Sequence, residues 1–216
     1  MLCPLCSSTS INQYAKDRRR LYYQCTRCKL VIADSTSHLP LAAEKAEYDK
    51  HENTLDDSGY LNFLSRAYEP LMAQVPAPAD GLDFGCGPAP ALAHYLKSQN
   101  YQMACYDKFY FSDPSPLKQR YDFVTCTEVI EHIADPAVEL TKIVSLLKPG
   151  GWLVIMTKRV IDQSRFSQWH YKNDPTHICF YSEATFEWMA KFFDMTLNIV
   201  GPDVVMLQKL RATDAR

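Results

Sequence analysis

A strand that runs directly into a glycine turn and then a helix constrains the fold of this chain more than any other feature. We predict the strand at residues 81–84, the turn at 85–88 (Gly-Cys-Gly-Pro) and the helix at 89–96. Glycines let the backbone turn sharply and approach a ligand closely, and the first turn of a helix offers free N–H groups. Pro90 stands where a dinucleotide-binding turn has its third glycine, which disfavours a pyrophosphate site.

An acidic residue follows the next predicted strand at the distance expected of a ribose-binding carboxylate. That strand covers residues 101–106 and ends in Asp107, about 20 residues after the glycine turn. A carboxylate there can accept hydrogen bonds from both ribose hydroxyls, whereas a single aspartate at a strand end is ordinarily a cap or turn residue. The distance from this turn favours ribose binding.

The rest of the chain alternates between strand and helix patterns. Asp135 and Pro136 are a cap and a first-turn proline for a helix, which residues 148–151 end, and residues 152–156 follow as a buried strand. Such alternation predicts a mostly parallel, doubly wound α/β sheet. The turn at 201–203 separates two further strands, which we predict to form a hairpin that adds the final antiparallel strand.

Three motifs, in this order, resemble those of the class I S-adenosylmethionine-dependent methyltransferases. They are LDFGCG at residues 82–87, YDFVTCTEVIEH at 121–132 and LKPGGWL at 147–153, and the similarity spans roughly residues 81–210. The resemblance implies a Rossmann-like fold with S-adenosyl-L-methionine as cofactor. It implies cofactor binding by five residues, namely Asp83, Gly85, Gly87, Asp107 and Thr127.

The chain departs from this family between Asp107 and Tyr121, which only 13 residues separate. The family fits a helix, a strand and an adenine-contacting acidic loop into that interval. The segment 108–116 is too rich in proline for all three elements. We therefore predict a sheet trimmed between its second and fourth strands, in which Phe109 or Tyr110 replaces the adenine contact by stacking.

Two carboxylates and a histidine follow the strand of the second motif. Glu128, Glu131 and His132 have the spacing of one helical face, at the end of the sheet where ligands bind. With the later His177, this pattern resembles the metal-dependent ubiquinone-pathway O-methyltransferases and the 2′-O-methyltransferases of small-RNA 3′ ends. The resemblance implies a divalent cation on these four residues that binds the acceptor hydroxyl and lowers its pKa.

A metal-free interpretation of the same residues stays open. In methyltransferases without metal, the glutamate caps the loop, and the histidine packs or serves as a base. His132 or His177 would then be the general base near neutral pH. The predicted catalytic residues are His132, His177 and Glu128 in either case.

The segment 164–181 is unusually rich in aromatic and imidazole rings. As a loop after the fifth strand it is expected to carry acceptor specificity. An aromatic lid would suit a ring-shaped, planar or apolar acceptor, although packing explains such residues equally well. The rings are those of Phe166, Trp169, His170, Tyr171, Phe180 and Tyr181.

Two C-x-x-C pairs near the start of the chain predict a structural zinc site. The ligands would be Cys3, Cys6, Cys25 and Cys28, with 18 residues between the pairs, and a single redox C-x-x-C is the alternative. Residues 21–24 and 30–32 are predicted strands of a ribbon too small to fold without metal. Residues 18–20, all arginine, would lie at its tip, either solvated or in contact with phosphate.

These features predict three segments. A zinc-ribbon-like module covers residues 1–40. A helical linker covers residues 41–79 and ends in a proline-rich stretch, and a methyltransferase domain covers residues 80–216. The linker helices are expected to cover the domain, where Tyr48, His51 and Asn53 would help to close a ligand pocket or simply pack.

Composition limits the functions that remain open. The net charge of −2 gives no global field for polyanions, and the absence of a long apolar run or signal segment predicts a soluble, cytoplasmic protein without a membrane partner. The leading hypothesis is methyl transfer to a hydroxyl, or less favourably a nitrogen, of a small acceptor, and the aromatic segment makes an aromatic acceptor one of the candidates. The alternatives are an RNA- or protein-modifying methyltransferase that uses the ribbon to hold its substrate, and a non-catalytic binding module.

Overall fold

The computed structural model describes residues 1–50, 54–55 and 57–211, and its first elements form a small antiparallel sheet. The strands β1 (Ile11–Lys16), β2 (Leu21–Cys25) and β3 (Val31–Ala33) pair in the order β1-β2-β3. The strands predicted at 21–24 and 30–32 are confirmed. β1 was not predicted, because it has no apolar run and all of its residues are half-buried or exposed.

Two helices follow this ribbon, as the sequence predicted. They are α1 (Leu41–Tyr48) and α2 (Ser58–Gln74). The Asp57 side chain caps α2 by accepting a hydrogen bond from the Tyr60 N–H, and α2 packs on the main sheet through one buried stripe of Leu64, Ala67, Tyr68 and Leu71. No residue of α1 is buried. His51 and Asn53, which were predicted to help close the pocket, lie outside the described residues.

A parallel arrangement forms the centre of the molecule. Its elements are β4 (Asp80–Phe84), α3 (Ala91–Ser98), β5 (Gln102–Tyr106), β6 (Tyr121–Thr127), α4 (Pro136–Ser145) and β7 (Leu147–Met156). β4 pairs in parallel with β5 on one side and with β6 on the other, and β6 pairs in parallel with β7. The strand order therefore reverses at β4, and ligands bind in the crevice at such a point.

The predicted trimming of the sheet is confirmed. Between β5 and β6 the chain forms a short 3-10 turn at Ser115–Lys118 and no further strand of the main sheet. Asp135 caps α4 through the Val138 N–H, as predicted. The prediction that residues 148–151 only end this helix is wrong, because α4 ends at Ser145 and β7 already begins at Leu147. The early start of β7 is accommodated by a register shift opposite Tyr121 and Phe123.

The last third of the chain completes both sheets. Its elements are α5 (Gln163–Gln168), β8 (Cys179–Phe180), α6 (Glu183–Phe192), β9 (Met195–Ile199) and β10 (Val204–Lys209). β10 runs antiparallel to β7 and to β9, so the predicted hairpin is confirmed. The six-stranded sheet has the order β5-β4-β6-β7-β10-β9.

The ribbon is joined to the rest of the molecule by a strand from the far end of the chain. β8 pairs antiparallel with β3, with Ile32 opposite Cys179, and so becomes the fourth strand of the ribbon sheet. Buried ribbon residues such as Leu30 and Val31 belong to the same hydrophobic cluster as Leu82 and Ile155 of the main sheet. The ribbon and the main sheet therefore share one core. Among the described residues, no helix combines the length and apolar character that crossing a bilayer requires.

Candidate functional site

A cavity of about 800 Å³ opens at the carboxyl ends of β4 and β6. The glycine turn, the loop after β5 and the turn after β6 line it. α1 and the first turns of α2 contribute Glu44, Tyr48, Tyr60 and Phe63, and the segment 174–178 completes the lining. The cavity thus lies at the point of strand reversal where the fold favours a ligand.

The two glycines of the turn are required for different structural reasons. Both have left-handed backbone angles, with φ of 77° at Gly85 and 66° at Gly87. A Cβ added at Gly85 would lie 2.4 Å from Val129 Cγ2, so packing against the turn after β6 requires glycine there. A Cβ added at Gly87 would meet nothing within 4 Å, because this residue faces the open cavity.

Asp107 ties the glycine turn to the loop after β5. One of its carboxylate oxygens, Oδ2, accepts a hydrogen bond from the Gly87 N–H at 3.1 Å. The other, Oδ1, accepts from the Phe109 and Tyr110 N–H groups at 2.8 and 3.1 Å. Asp107, Phe109, Tyr110 and Thr127 all line the cavity, so four of the predicted cofactor contacts face the same space.

Asp83 lies beneath the turn rather than on the cavity wall. Its side chain is buried, and its Oδ1 accepts a hydrogen bond from the Thr125 hydroxyl at 2.8 Å. Burial raises the pKa of Asp83 from 3.8 to about 6, and the hydrogen bond from Thr125 opposes this shift. The carboxyl group therefore supports the turn from below.

Glu131, His132 and His177 come together at the cavity, which the two histidines line. One ligand atom from each lies within 4.8 Å of the others, and the two imidazole rings are 4.7 Å apart. The Nδ1 atoms are paired with backbone carbonyls, that of His132 with Thr176 at 3.2 Å and that of His177 with Tyr171 at 2.8 Å. Nε2 is therefore the nitrogen that each ring can offer to a ligand.

The carboxylate of this cluster has one oxygen in use and one free. Glu131 is buried, its Oε1 accepts a hydrogen bond from the Tyr171 hydroxyl, and its Oε2 has no partner among the described residues. Burial raises the pKa of Glu131 to about 8 and lowers that of His132 to about 3. A buried oxygen without a partner next to uncharged imidazoles is a donor set that a cation would complete.

Glu128 does not join these three residues directly. The predicted helical face is wrong in detail, because residues 130–132 form a 3-10 turn and Glu128 has φ of 53°, a strained value outside glycine. Glu128 lines the cavity, and its Oε2 is 3.3 Å from the Tyr171 hydroxyl. Burial raises its pKa to about 7. Tyr171 therefore lies between the buried carboxyl of Glu131 and the half-buried carboxyl of Glu128.

A comparison with known protein families agrees with this geometry. Residues 57–197 match the family model described as a methyltransferase domain. The chain belongs to this methyltransferase-domain family. The match covers α2 and the main sheet as far as β9, which includes the glycine turn and the Glu131 cluster. The three motifs and the doubly wound, mostly parallel sheet are those of a class I S-adenosylmethionine-dependent member.

The methyltransferase domain is similar to individual proteins over part of its length. It is 34% identical over 86 residues to the ubiquinone biosynthesis O-methyltransferase of Serratia proteamaculans, a match that covers 40% of this chain and 36% of that protein. The Saccharophagus degradans protein of the same name is 37% identical over 90 residues, with the same coverage of 40% and 36%. The match thus spans little more than a third of these relatives.

Solved structures share the fold. The Burkholderia thailandensis 1,6-didemethyltoxoflavin-N1-methyltransferase, solved with 1,6-didemethyltoxoflavin and S-adenosylhomocysteine, superposes with a TM-score of 0.54 at 16% identity. The superposition covers 92% of this chain and 99% of that one. At this identity the likeness shows a common fold and no more.

The aromatic rings of the segment 164–181 do not lie where the sequence predicted. None of its six rings lines the cavity, so the prediction of an aromatic lid is wrong. Phe166 packs against Tyr14, Tyr22 and Phe180 at centroid distances of 5.1–5.4 Å, and so joins the methyltransferase domain to the ribbon. The aromatic rings that do line the cavity come from α1, α2, the ends of β4 and β5 and the loop after β5.

The four ribbon cysteines form a second cluster. Their sulfur atoms lie within 4.8 Å of one another, with Cys3 and Cys28 at 3.5 Å and Cys6 and Cys25 at 3.5 Å. Zn–S bonds of about 2.3 Å in a tetrahedron place sulfur atoms about 3.8 Å apart, so this cluster suits zinc. All eight cysteines, each among the described residues, are free.

Sequence reasoning missed the contacts of Tyr171 and Arg20. Tyr171 was grouped with the aromatic rings, although its hydroxyl is the group that reaches the site. Arg20 was expected on the surface with its two neighbours, but it is buried against the segment 172–177. Only Arg18 and Arg19 of the basic tip are exposed.

Proposed function

We propose that this protein transfers the methyl group of S-adenosylmethionine to a hydroxyl group of a small molecule. One observation carries the proposal: a single cavity is lined by the glycine turn and Asp107 and also by His132 and His177, whose imidazoles cluster with the buried carboxyl of Glu131. The names of the O-methyltransferase relatives support oxygen as the acceptor atom, within the short stretch that they share with this chain.

The cofactor would lie along the glycine turn. The open space beside Gly87 leaves room for it, and Asp107 would accept a hydrogen bond from a ribose hydroxyl through the lone pair of Oδ2 that the Gly87 N–H leaves free. Phe109 and Tyr110 would stack on the adenine, and Thr127 would contact the cofactor from the end of β6. Asp83 would act indirectly, by supporting the turn.

A divalent cation would be held on the acceptor side by Glu131 Oε2 and the Nε2 atoms of His132 and His177, with Glu128 beside them. Ligating histidines characteristically donate their second N–H to a carbonyl or carboxylate, which is the arrangement of both rings here. When bound, such a cation would polarise the acceptor hydroxyl and favour its oxyanion.

The protein's own groups would orient the reactants. The acceptor oxygen must lie in line with the sulfonium methyl, and the cavity would hold both partners at that geometry. Tyr171 fixes the Glu131 carboxylate by its hydrogen bond, and the carbonyls of Thr176 and Tyr171 fix the two imidazoles. Without a cation, the Nε2 atom of His177 would instead accept the hydroxyl proton, because the lowered pKa of His132 makes its imidazole a weak base.

Calorimetry of the full-length protein with S-adenosylmethionine and S-adenosylhomocysteine tests the proposal. We expect both to bind, and binding to weaken at least tenfold in Asp107→Asn, because an amide donates where the ribose hydroxyls also donate. If neither nucleoside binds the wild type, the proposed function is wrong. If both bind, a screen of cell extract with labelled methyl donor would identify the acceptor.

Metal analysis tests the cation separately. We expect an exchangeable divalent cation in addition to zinc, which His177→Ala loses while the zinc stays. Activity that a chelator leaves undiminished, in protein with no second cation, would exclude the cation and leave the general-base route.

We also propose that the four cysteines hold a structural zinc ion. The sulfur geometry and the small size of the ribbon support this assignment. Purified protein should contain one zinc that Cys25→Ser releases.

A further inference from the structure

The tip of the ribbon reaches the acceptor side of the cavity through one buried arginine. The guanidinium of Arg20 donates hydrogen bonds to four main-chain carbonyls between residues 172 and 177. Its Nη1 donates to His177 O at 2.8 Å and to Pro175 O at 3.5 Å, and its Nη2 donates to Asp174 O at 2.8 Å and to Lys172 O. A guanidinium has five donors in a rigid fork, and the fifth, Nε–H, is donated to the Tyr22 hydroxyl at 3.1 Å.

A second contact reinforces the first from the same turn. Lys172 is buried, and its Nζ is 2.7 Å from Asp17 Oδ2. Asp17 Oδ1 accepts hydrogen bonds from the main-chain N–H groups of Arg19 and Arg20, both at 2.8 Å. The β1–β2 turn is therefore built around Asp17 and holds both ends of the segment 172–177.

This segment orients both imidazoles of the site. It supplies His177 itself, and the carbonyl of Thr176 pairs with His132 Nδ1 at 3.2 Å. Asp174 accepts from the Thr176 N–H at 2.8 Å, and its Oδ2 lies 3.7 Å from His177 Nε2. Beyond the 3-10 turn at His170–Asn173, the segment has no regular structure as far as β8. Its shape therefore depends on the contacts that it makes.

We propose that Arg20 is a positioning residue, which holds the segment 172–177 so that the imidazoles of His132 and His177 keep their orientation beside the Glu131 carboxyl. This proposal rests on the proposed function for the importance of the cluster, but the orientation of the rings can be measured without it. The ribbon then serves as a structural part of the acceptor site, and its buried Arg20 does not bind a macromolecule.

The test compares Arg20→Met, Arg20→Lys and Arg19→Met in the full-length, zinc-loaded protein. Arg19 is the matched control, since its side chain is exposed two residues from the same Asp17. The readouts are the imidazole ¹⁵N signals, the affinity for Co²⁺ as a visible probe of the nitrogen–oxygen site, and kcat against the KM for S-adenosylmethionine.

In Arg20→Met we expect shifted imidazole signals for His132 and His177, because the carbonyls that accept from their Nδ1 atoms move. Loss of such supporting contacts typically costs a metal site about 10–100-fold in affinity, and we expect that range for Co²⁺. We expect kcat to fall about tenfold or more, since an ångström of misplacement costs up to about 10² in rate, while the KM for S-adenosylmethionine stays within about twofold. Arg20→Lys should recover part of both effects, and Arg19→Met should match the wild type.

Wild-type imidazole signals and Co²⁺ affinity in a folded Arg20→Met protein would overturn the proposal. If Arg20→Met does not fold, Lys172→Met tests the same segment through its second contact, and wild-type signals there would count equally against it. A wild type that binds neither S-adenosylmethionine nor Co²⁺ contradicts the proposed function instead, and in that case the imidazole signals alone decide the role of Arg20.

Discussion

The hydroxyl of Tyr171 is the hydrogen-bond donor that Glu131 and Glu128 share. It contacts Glu131 Oε1, Glu128 Oε2 at 3.3 Å and Thr157 Oγ1 at 3.2 Å. Tyr171→Phe removes that donor and leaves the ring. We expect the affinity for a divalent cation to fall about 10–100-fold and kcat to fall with it, while calorimetry finds the affinity for S-adenosylmethionine unchanged.

Tyr101→Phe is the matched control for this change, because its hydroxyl donates to Val75 O far from the cluster. Equal effects of the two substitutions on cation affinity would show that the Tyr171 hydroxyl has no special role.

The buried carboxyl of Asp83 makes stability depend on pH. Its pKa is raised from 3.8 to about 6 by burial, so the folded state favours the protonated form. The stabilisation from this proton is complete below pH 3.8 and is lost as the pH rises through about 6. At 1.36 kcal/mol per pKa unit, wild type should lose about 1.4 kcal/mol more than Asp83→Asn between about pH 5 and 8.

Urea unfolding of the wild type and Asp83→Asn at both pH values measures this difference, because the other titrating groups are common to the two proteins. Parallel pH dependences would mean that Asp83 is ionised in the folded state and solvated.

The residues of the site differ in how far the sequence could predict them. Glu131 and His132 are neighbours, and His177 was added through a resemblance, so these three could be brought together before any fold was known. Glu128 could not be placed, because its left-handed backbone breaks the helical spacing on which the prediction relied. Arg20 contacts residues more than 150 positions away, and no local pattern encodes such a contact.

At the scale of elements, the turn between β4 and α3 contains two glycines with separable roles. Gly85→Ala should destabilise the fold, since its Cβ would overlap Val129 and its φ is 77°. Gly87→Ala has open space and bears only the cost of a left-handed alanine, about 1–2 kcal/mol. We expect Gly87→Ala to lower the affinity for S-adenosylmethionine at least tenfold, because its methyl group enters the space that the cofactor would occupy.

Thermal unfolding and calorimetry on both variants distinguish these roles. A Gly87→Ala protein that binds the cofactor as the wild type does would remove this part of the turn from the binding site.

The regular elements followed from the sequence where their pattern was local. The glycine turn, the capped helix α4 and the final hairpin each have a short signature of glycine, proline or a capping side chain. β8 has only two residues and forms because it pairs with the free edge of β3. Its formation therefore depends on the tertiary fold. The aromatic residues around it were assigned to the wrong surface for the same reason, because their partners are in the ribbon.

At the scale of the molecule, the N-terminal ribbon shares one hydrophobic core with the main sheet. Segment boundaries at residues 40 and 79 were predicted from composition, and they remain a prediction. The pairing of β3 with β8 and the shared cluster of buried residues mean that removing residues 1–40 would expose Ile178 and Phe180. Point substitutions are therefore better tests of the ribbon than truncation.

Loss of zinc should consequently affect the whole protein. If the ribbon were a separate unit, Cys25→Ser would unfold it alone and leave a second transition unchanged. Because the ribbon shares its core with the main sheet, we expect one cooperative transition at a lower midpoint. A chain of this size loses about 2–4 °C for each kcal/mol, and a structural zinc contributes several kcal/mol. Cys105→Ser, a similar change in β5 outside the ribbon, is the control. Calorimetry that resolves an early transition of the ribbon beside an unshifted main transition would contradict the shared core.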